Sequence, residues 1–151
     1  SDLGGTMDSL LQSDAFRTYA ICCAILGLKV LFSAFYTGAQ RQKSRGYINA
    51  EDARVFGKGG VEAGAVESAE VAHGLRIQRN DAENIPTFYA LGLVYVLSGA
   101  SPMGAFWYCW TYTIARVLHT VMYVNHWQPW RAICFGLGVA CQIGMAASIL
   151  F

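Results

Sequence analysis

Four apolar runs of membrane-spanning length limit what this chain can fold into. They lie at about 15–40, 70–99, 103–125 and 130–151, and about 20 residues of helix cross the hydrocarbon core of a bilayer. Of the 151 residues, 54% are hydrophobic and only 14% charged, against about 25% charged in soluble domains. Too little polar surface exists to cover the chain in water. The expectation is a single all-α domain over residues 1–151, an integral membrane four-helix bundle. The turns Ser98 to Pro102 and Asn125 to Pro129 are short, which predicts an up-down-up-down order.

The one sizeable aqueous connection is the stretch 41–69, with Arg41, Lys43, Arg45, Arg54 and Lys58 against Glu51, Asp52, Glu62 and Glu67. An excess of Lys and Arg marks the cytosolic side. The turn at 99–102 has none, and the segment before Arg17 is purely acidic, so both termini are expected to face away from the cytosol. A net charge of +1 without a basic stripe argues against a nucleic-acid partner. Ser1 to Thr6 ahead of Met7 reads as the remnant of a tag. No cleavable signal peptide is expected, since the first apolar run begins late and lasts a full span. The five cysteines, Cys22, Cys23, Cys109, Cys134 and Cys141, lie in apolar segments with no CxxC pair and read as small buried hydrophobes.

Charges at membrane depth cost about 2.5–3.5 kcal/mol each on insertion scales, so they usually face a bundle interior and serve a function. In the second run Arg76, Arg79, Asn80 and Glu83 fall at i, i+3, i+4 and i+7, one face of an α-helix. In the third, Arg116, His119, Thr120 and Tyr123 repeat that spacing. The two faces predict a shared polar cavity, to which Arg41 at the end of the first run and Arg131 at the start of the fourth add guanidinium groups. Glu83 is the main acid facing them. Arginine stays charged when buried and grips carboxylates with both arms of its fork, so this excess suits a small anionic ligand. A ligand with two carboxylates and one amine would use both signs. The competing reading is that these charges only pair with one another to hold helices together. That is expected of Lys29 and Asp81, which sit at matching heights in their runs. Tyr123 on its own would suit a membrane interface, but it shares the face of Arg116. His73 and His126 have no carboxylate or cysteine at ligand spacing, so no metal site is expected.

The stretch Leu75-Arg76-Ile77-Gln78-Arg79-Asn80-Asp81-Ala82-Glu83-Asn84-Ile85 resembles the second-helix signature of the MAPEG family, membrane-associated proteins of eicosanoid and glutathione metabolism. Thr37-Gly38-Ala39-Gln40-Arg41 is similar to the end of the family's first helix, Asn49-Ala50-Glu51-Asp52-Ala53 to its loop, and Arg116-Val117-Leu118-His119-Thr120-Val121-Met122-Tyr123 to its third helix. The four motifs occur in order and cover most of the chain. The resemblance implies a homotrimer with glutathione bound between neighbouring subunits toward the cytosolic side. It further implies that Arg41, Arg79, Asn80, Glu83, His119 and Tyr123 contact glutathione, that Arg76 and Arg116 support the pocket, and that Arg131 lies closest to the thiol as the catalytic residue. A nearby arginine lowers the pKa of a thiol from about 8.5, and the N-terminus of a helix favours an anion.

Within the family, Asp81-Ala82-Glu83-Asn84-Ile85 resembles the transferase branch. Ala132, Phe135 and Gly136 lack hydroxyls that the isomerase branch carries, while Arg41, the loop motif and the third-helix motif are shared with that branch. The expected function is a membrane-bound glutathione S-transferase, with or without peroxidase activity, that conjugates glutathione to lipophilic electrophiles in detoxification or eicosanoid metabolism. One alternative is a glutathione-dependent isomerase of the prostaglandin E synthase type. Another is a non-catalytic membrane scaffold or transporter. The expected location is multi-pass, in the endoplasmic reticulum of a eukaryote or the inner membrane of a bacterium.

Overall fold

The computed structural model describes residues 8–45, 47–57, 64 and 67–151; Ser1 to Thr6, read as a tag remnant, and Lys58 and Glu62 lie outside them. All regular structure among the described residues is helical. Helix α1 spans Asp14–Ser44. It starts where the hydroxyl of Ser13 accepts from the backbone N–H of Phe16 at 3.2 Å, and ends with Arg41 and Lys43 in the last turn, where cations complement the helix dipole. Helix α3 covers Ala69–Leu97, with Ser68 accepting from Val71 N–H at 3.3 Å. Helix α4 covers Pro102–Val124, opened by Ser101 accepting from Gly104 N–H and by Pro102 in the first turn, where a missing N–H costs nothing. Helix α5 covers Trp130–Leu150. Gly99, between α3 and α4, takes φ +88°, a conformation that glycine alone adopts freely.

Where the sequence suggested only an aqueous loop, the chain forms a further short helix, α2, at Ala50–Phe56. Its first turn carries Glu51 and Asp52 and its last turn Arg54, the order of charge that a helix dipole rewards. Pro86 stands inside α3 and removes one helical hydrogen bond, which is tolerated in membrane helices where neighbours supply polar partners.

The chain divides into two compact units, Ser1–Leu28 with Glu83–Phe151, and Lys29–Ala82. In the first, α4 packs on α5, and the rings of Phe88 and Tyr112 stack at 4.2 Å with 3° between their planes. Just N-terminal to Pro86, the carbonyl of Asn84 accepts from Tyr112 OH at 2.9 Å and from Gln142 Nε2 at 3.1 Å, which ties α3 to both later helices. Cys22, Cys109 and Cys141 are buried here as free thiols, with Cys22 and Cys109 in the core beside Leu26 and Met145. In the second unit, a Cβ added at Gly74 would stand 2.6 Å from Thr37 Oγ1 and 3.1 Å from Thr37 Cα, so α1 and α3 approach closely there.

Polarity runs inside out. The buried stripe of α1 steps by three and four through Ala15, Tyr19, Cys22, Leu26, Lys29, Ser33 and Thr37, so its later half is polar. The outward side carries Leu28, Phe32 and Phe35, the last 75% exposed. Helix α4 likewise presents Met103, Trp107 and Ile114 outward, and α5 presents Ile143 and Leu150. So broad an apolar exterior would aggregate in water. Helices α1 and α5 are each long and apolar enough to cross a membrane; α1, at 31 residues, is about 46 Å long, ample for a core of about 30 Å.

Candidate functional site

Arg41, Arg76, Arg79 and Asn80 belong to the Lys29–Ala82 unit, and Glu83, Arg116, His119, Tyr123 and Arg131 to the other. On α3, Arg76, Arg79 and Glu83 are exposed and Asn80 is half-buried, so the polar face inferred from spacing looks out from a single copy of the chain. Arg76 Nη2 lies 3.5 Å from His73 Nδ1. Arg41 Nη2 donates to Glu67 Oε1 at 2.7 Å, which links the last turns of α1 to the segment entering α3. Glu67 had no assigned role in the sequence, because a loop residue has no helical period to fix its direction. The opposite side of α3 holds Asp81 in a buried ion pair with Lys29, the pairing expected from their heights. Ser33 Oγ donates to the other carboxylate oxygen at 2.7 Å.

In the other unit, the predicted residues of α4 and α5 come together as a ladder that runs from Arg116 through Phe135, His119 and Tyr123 to Arg131. Arg116 is fully buried, and its guanidinium carbon lies 5.8 Å from the centre of the Phe135 ring. His119, also buried, stands 6.2 Å from Phe135 and 5.7 Å from Tyr123, centre to centre. Tyr123 carries Arg131, whose guanidinium carbon sits 4.4 Å over the ring. Contacts of cation over ring within about 6 Å are attractive, by about 0.5–1 kcal/mol at exposed sites and more when water is excluded. The guanidinium nitrogens of Arg131 also reach Gln128. With the Gln128 amide oxygen turned toward them, that oxygen accepts from Arg131 Nη2 at 2.5 Å and Nε at 3.0 Å. Arg131 is in the first turn of α5, where the helix adds positive potential.

Phe135 is the ring between Arg116 and His119, and the sequence marked it only as a position without the isomerase branch's hydroxyl, not as a partner of either. Gln128 was not singled out at all. The ladder needs a small residue opposite: a Cβ added at Gly138 would meet Arg116 Cδ at 3.3 Å and Tyr112 Cε2 at 3.6 Å. Gly138→Leu is therefore expected to displace Arg116 and cost about 1–3 kcal/mol, read as a lower melting temperature of the detergent-solubilised protein. Gly136→Leu, where an added Cβ meets nothing within 4 Å, should change stability by about 0.5 kcal/mol or less. Equal losses at both positions would refute the close packing.

Described residues that form only helices, apolar exterior faces and a ladder of arginines and rings between two of the helices define the class of small membrane-associated proteins that the motifs suggested. A sequence profile of the MAPEG family matches residues 19–151, and the chain belongs to that family. It is 34% identical to microsomal glutathione S-transferase 1 of Mus musculus over 152 residues, covering 99% of the chain and 96% of that protein. It is 31% identical over 146 residues to microsomal glutathione S-transferase 1 of Sus scrofa, covering 95% of the chain and 94% of that protein. Prostaglandin E synthase of Homo sapiens is 31% identical over 143 residues, covering 94% of the chain and 92% of that protein.

Proposed function

We propose that this protein is a glutathione S-transferase embedded in the membrane by four helices of a single domain in up-down-up-down order, with the 41–69 connection on the cytosolic side. Three copies form the working unit. In this reading Arg41, Arg76, Arg79, Asn80, Glu83, Arg116, His119 and Tyr123 hold glutathione, and Arg131 faces its thiol. The observation that carries the proposal is Arg131 itself, a guanidinium whose carbon sits 4.4 Å over the Tyr123 ring at the start of α5, at the end of the ladder that runs back through His119 to the buried Arg116. Such a cation lowers the pKa of a thiol brought to it. The thiolate sulfur then attacks the electrophilic carbon of a lipophilic substrate arriving through the bilayer, and the leaving group departs with the bond electrons.

The exposed face of α3 supports assembly. Charged side chains at membrane depth face protein or water rather than lipid, so Arg76, Arg79 and Glu83 call for a polar cover. A neighbouring copy with a tripeptide bearing two carboxylates and one amine supplies it, since the guanidinium groups suit the carboxylates and Glu83 suits the amine.

Purified protein in lipid nanodiscs, offered glutathione with a chlorinated dinitrobenzene, should form the conjugate and release chloride. No rate above the uncatalysed one would sink the transferase reading. Because relatives of equal identity include prostaglandin E synthases, a parallel assay with a prostaglandin endoperoxide tests the isomerase alternative. Losing a hydrogen bond to a charged group costs about 1.5–3 kcal/mol, so Arg79→Ala and Glu83→Ala should each weaken glutathione binding by about 10- to 150-fold. Calorimetry measures this directly. Unchanged affinity in both variants would favour a non-catalytic scaffold or transporter.

A further inference from the structure

Within the Lys29–Ala82 unit, Asp81 is 2% exposed and Lys29 7%. The carboxylate is held at both oxygens, by the ammonium of Lys29 at one and by the hydroxyl of Ser33, 2.7 Å away, at the other. Lys29 and Ser33 are one turn apart on the same side of α1, so Asp81 is gripped at two points along a neighbouring helix. At 3.6 residues per turn, Asp81 projects roughly 140–160° around α3 from both Arg76 and Arg79. The grip and the outward arginine face are therefore back to back on one rigid element.

We propose that Lys29, Ser33 and Asp81 are positioning residues, which fix the rotation of α3 about its axis and so aim Arg76 and Arg79 outward. The apolar contacts on the buried side, Val71 and Ile77, cannot do this alone. In a bilayer, lipid tails are as apolar as the neighbouring helix, so burial of Ile77 gives little preference for one rotation over the next. A carboxylate with both oxygens engaged is directional and leaves one setting. The side chains of a helix reach about 5–6 Å from its axis, so a turn of roughly 20° moves an outward group by about 2 Å. Misplacements near 1 Å are enough to cost about 100-fold at a reacting centre. The functional part of this inference rests on the glutathione reading above; the rotational part does not.

The test is Lys29→Met with Asp81→Leu in the full chain in nanodiscs, which removes the grip without leaving a lone charge. Glutathione KM should rise by about 10-fold or more, while kcat at saturating glutathione stays within about twofold, because Arg131 lies outside the unit altered. The reversed pair, Lys29→Asp with Asp81→Lys, should recover most of the lost KM. A ligand-free readout accompanies these. In a background with the five native cysteines changed to alanine, single reporter cysteines, Arg79→Cys on the exposed face and Ile77→Cys on the buried one, are labelled with a membrane-impermeant maleimide. The labelling ratio of position 79 to position 77 should fall several-fold in the apolar-pair background. Should the apolar pair fail to insert, Ser33→Ala drops one grip point, keeps the ion pair and should shift both readouts the same way by less. A folded variant with the original KM and the original labelling ratio overturns the proposal. A shifted ratio in a protein whose unaltered form binds no glutathione upholds the positioning role and refutes the glutathione reading instead.

Discussion

Arg131→Ala should cut conjugation at pH 7 by roughly 25-fold, with glutathione affinity retained within a few-fold. The size follows from ionisation. A thiol titrating near 8.5 is roughly 3% thiolate at pH 7, while one brought to about 6.5 by an adjacent guanidinium is roughly three-quarters thiolate. The ladder explains why binding should survive. Arg131 stacks on Tyr123 from the far end, and the His119–Tyr123 contact is made within α4. The variant's rate should climb through about pH 8.5 where the original levels off above about 6.5, so the two converge in alkali. The ultraviolet absorbance of bound thiolate near neutral pH should vanish with the side chain. A variant that keeps this absorbance, or a rate deficit that persists undiminished at high pH, would remove Arg131 from the chemistry.

How far the sequence could be read depended on whether period or packing set each feature. Helix starts depend on local residues: Ser13 before α1, and Ser101 with Pro102 before α4, open their helices as their residue types dictate. The Lys29–Asp81 pair was legible because buried charges in lipid have few partners at the same height. Spacing put Arg116, His119 and Tyr123 on one face of α4, where the rings of His119 and Tyr123 lie 5.7 Å apart. Spacing could not tell which arginine faces lie outward. Arg79 and Arg116 sit in similar i, i+3, i+4 patterns, yet Arg79 is exposed while Arg116 is fully buried, a difference made by Gly138 and Phe135 on a different helix. The Arg41–Glu67 pair and helix α2 escaped notice for a related reason. Glu67 and α2 lie in the polar connection and Arg41 at its border, the last turn of α1, where hydrophobic periodicity is absent and only tertiary contacts choose a partner.

Removing one member of the buried pair should have the largest effect on stability. Lys29→Met leaves Asp81 charged, desolvated and without its ammonium partner, and Ser33 alone cannot offset that. Breaking a buried pair in this way costs roughly 3–5 kcal/mol, a large share of the roughly 5–15 kcal/mol that holds a domain together. At roughly 2–4 °C per kcal/mol for a chain of this size, the melting temperature in detergent should fall by about 6–20 °C. The doubly apolar form, Lys29→Met with Asp81→Leu, should melt near the original temperature or above it. It sheds two desolvation penalties along with one attraction, and in a bilayer it also sheds the insertion cost of two charges. If the single and double variants are equally unstable, the pair is holding α1 and α3 together by contacts that methionine and leucine do not replace. If only the single variant falls, the pair adds no net stability. What it then contributes is direction, which apolar contacts in lipid cannot supply, and the rotation of α3 becomes the property for which two costly charges are kept at membrane depth.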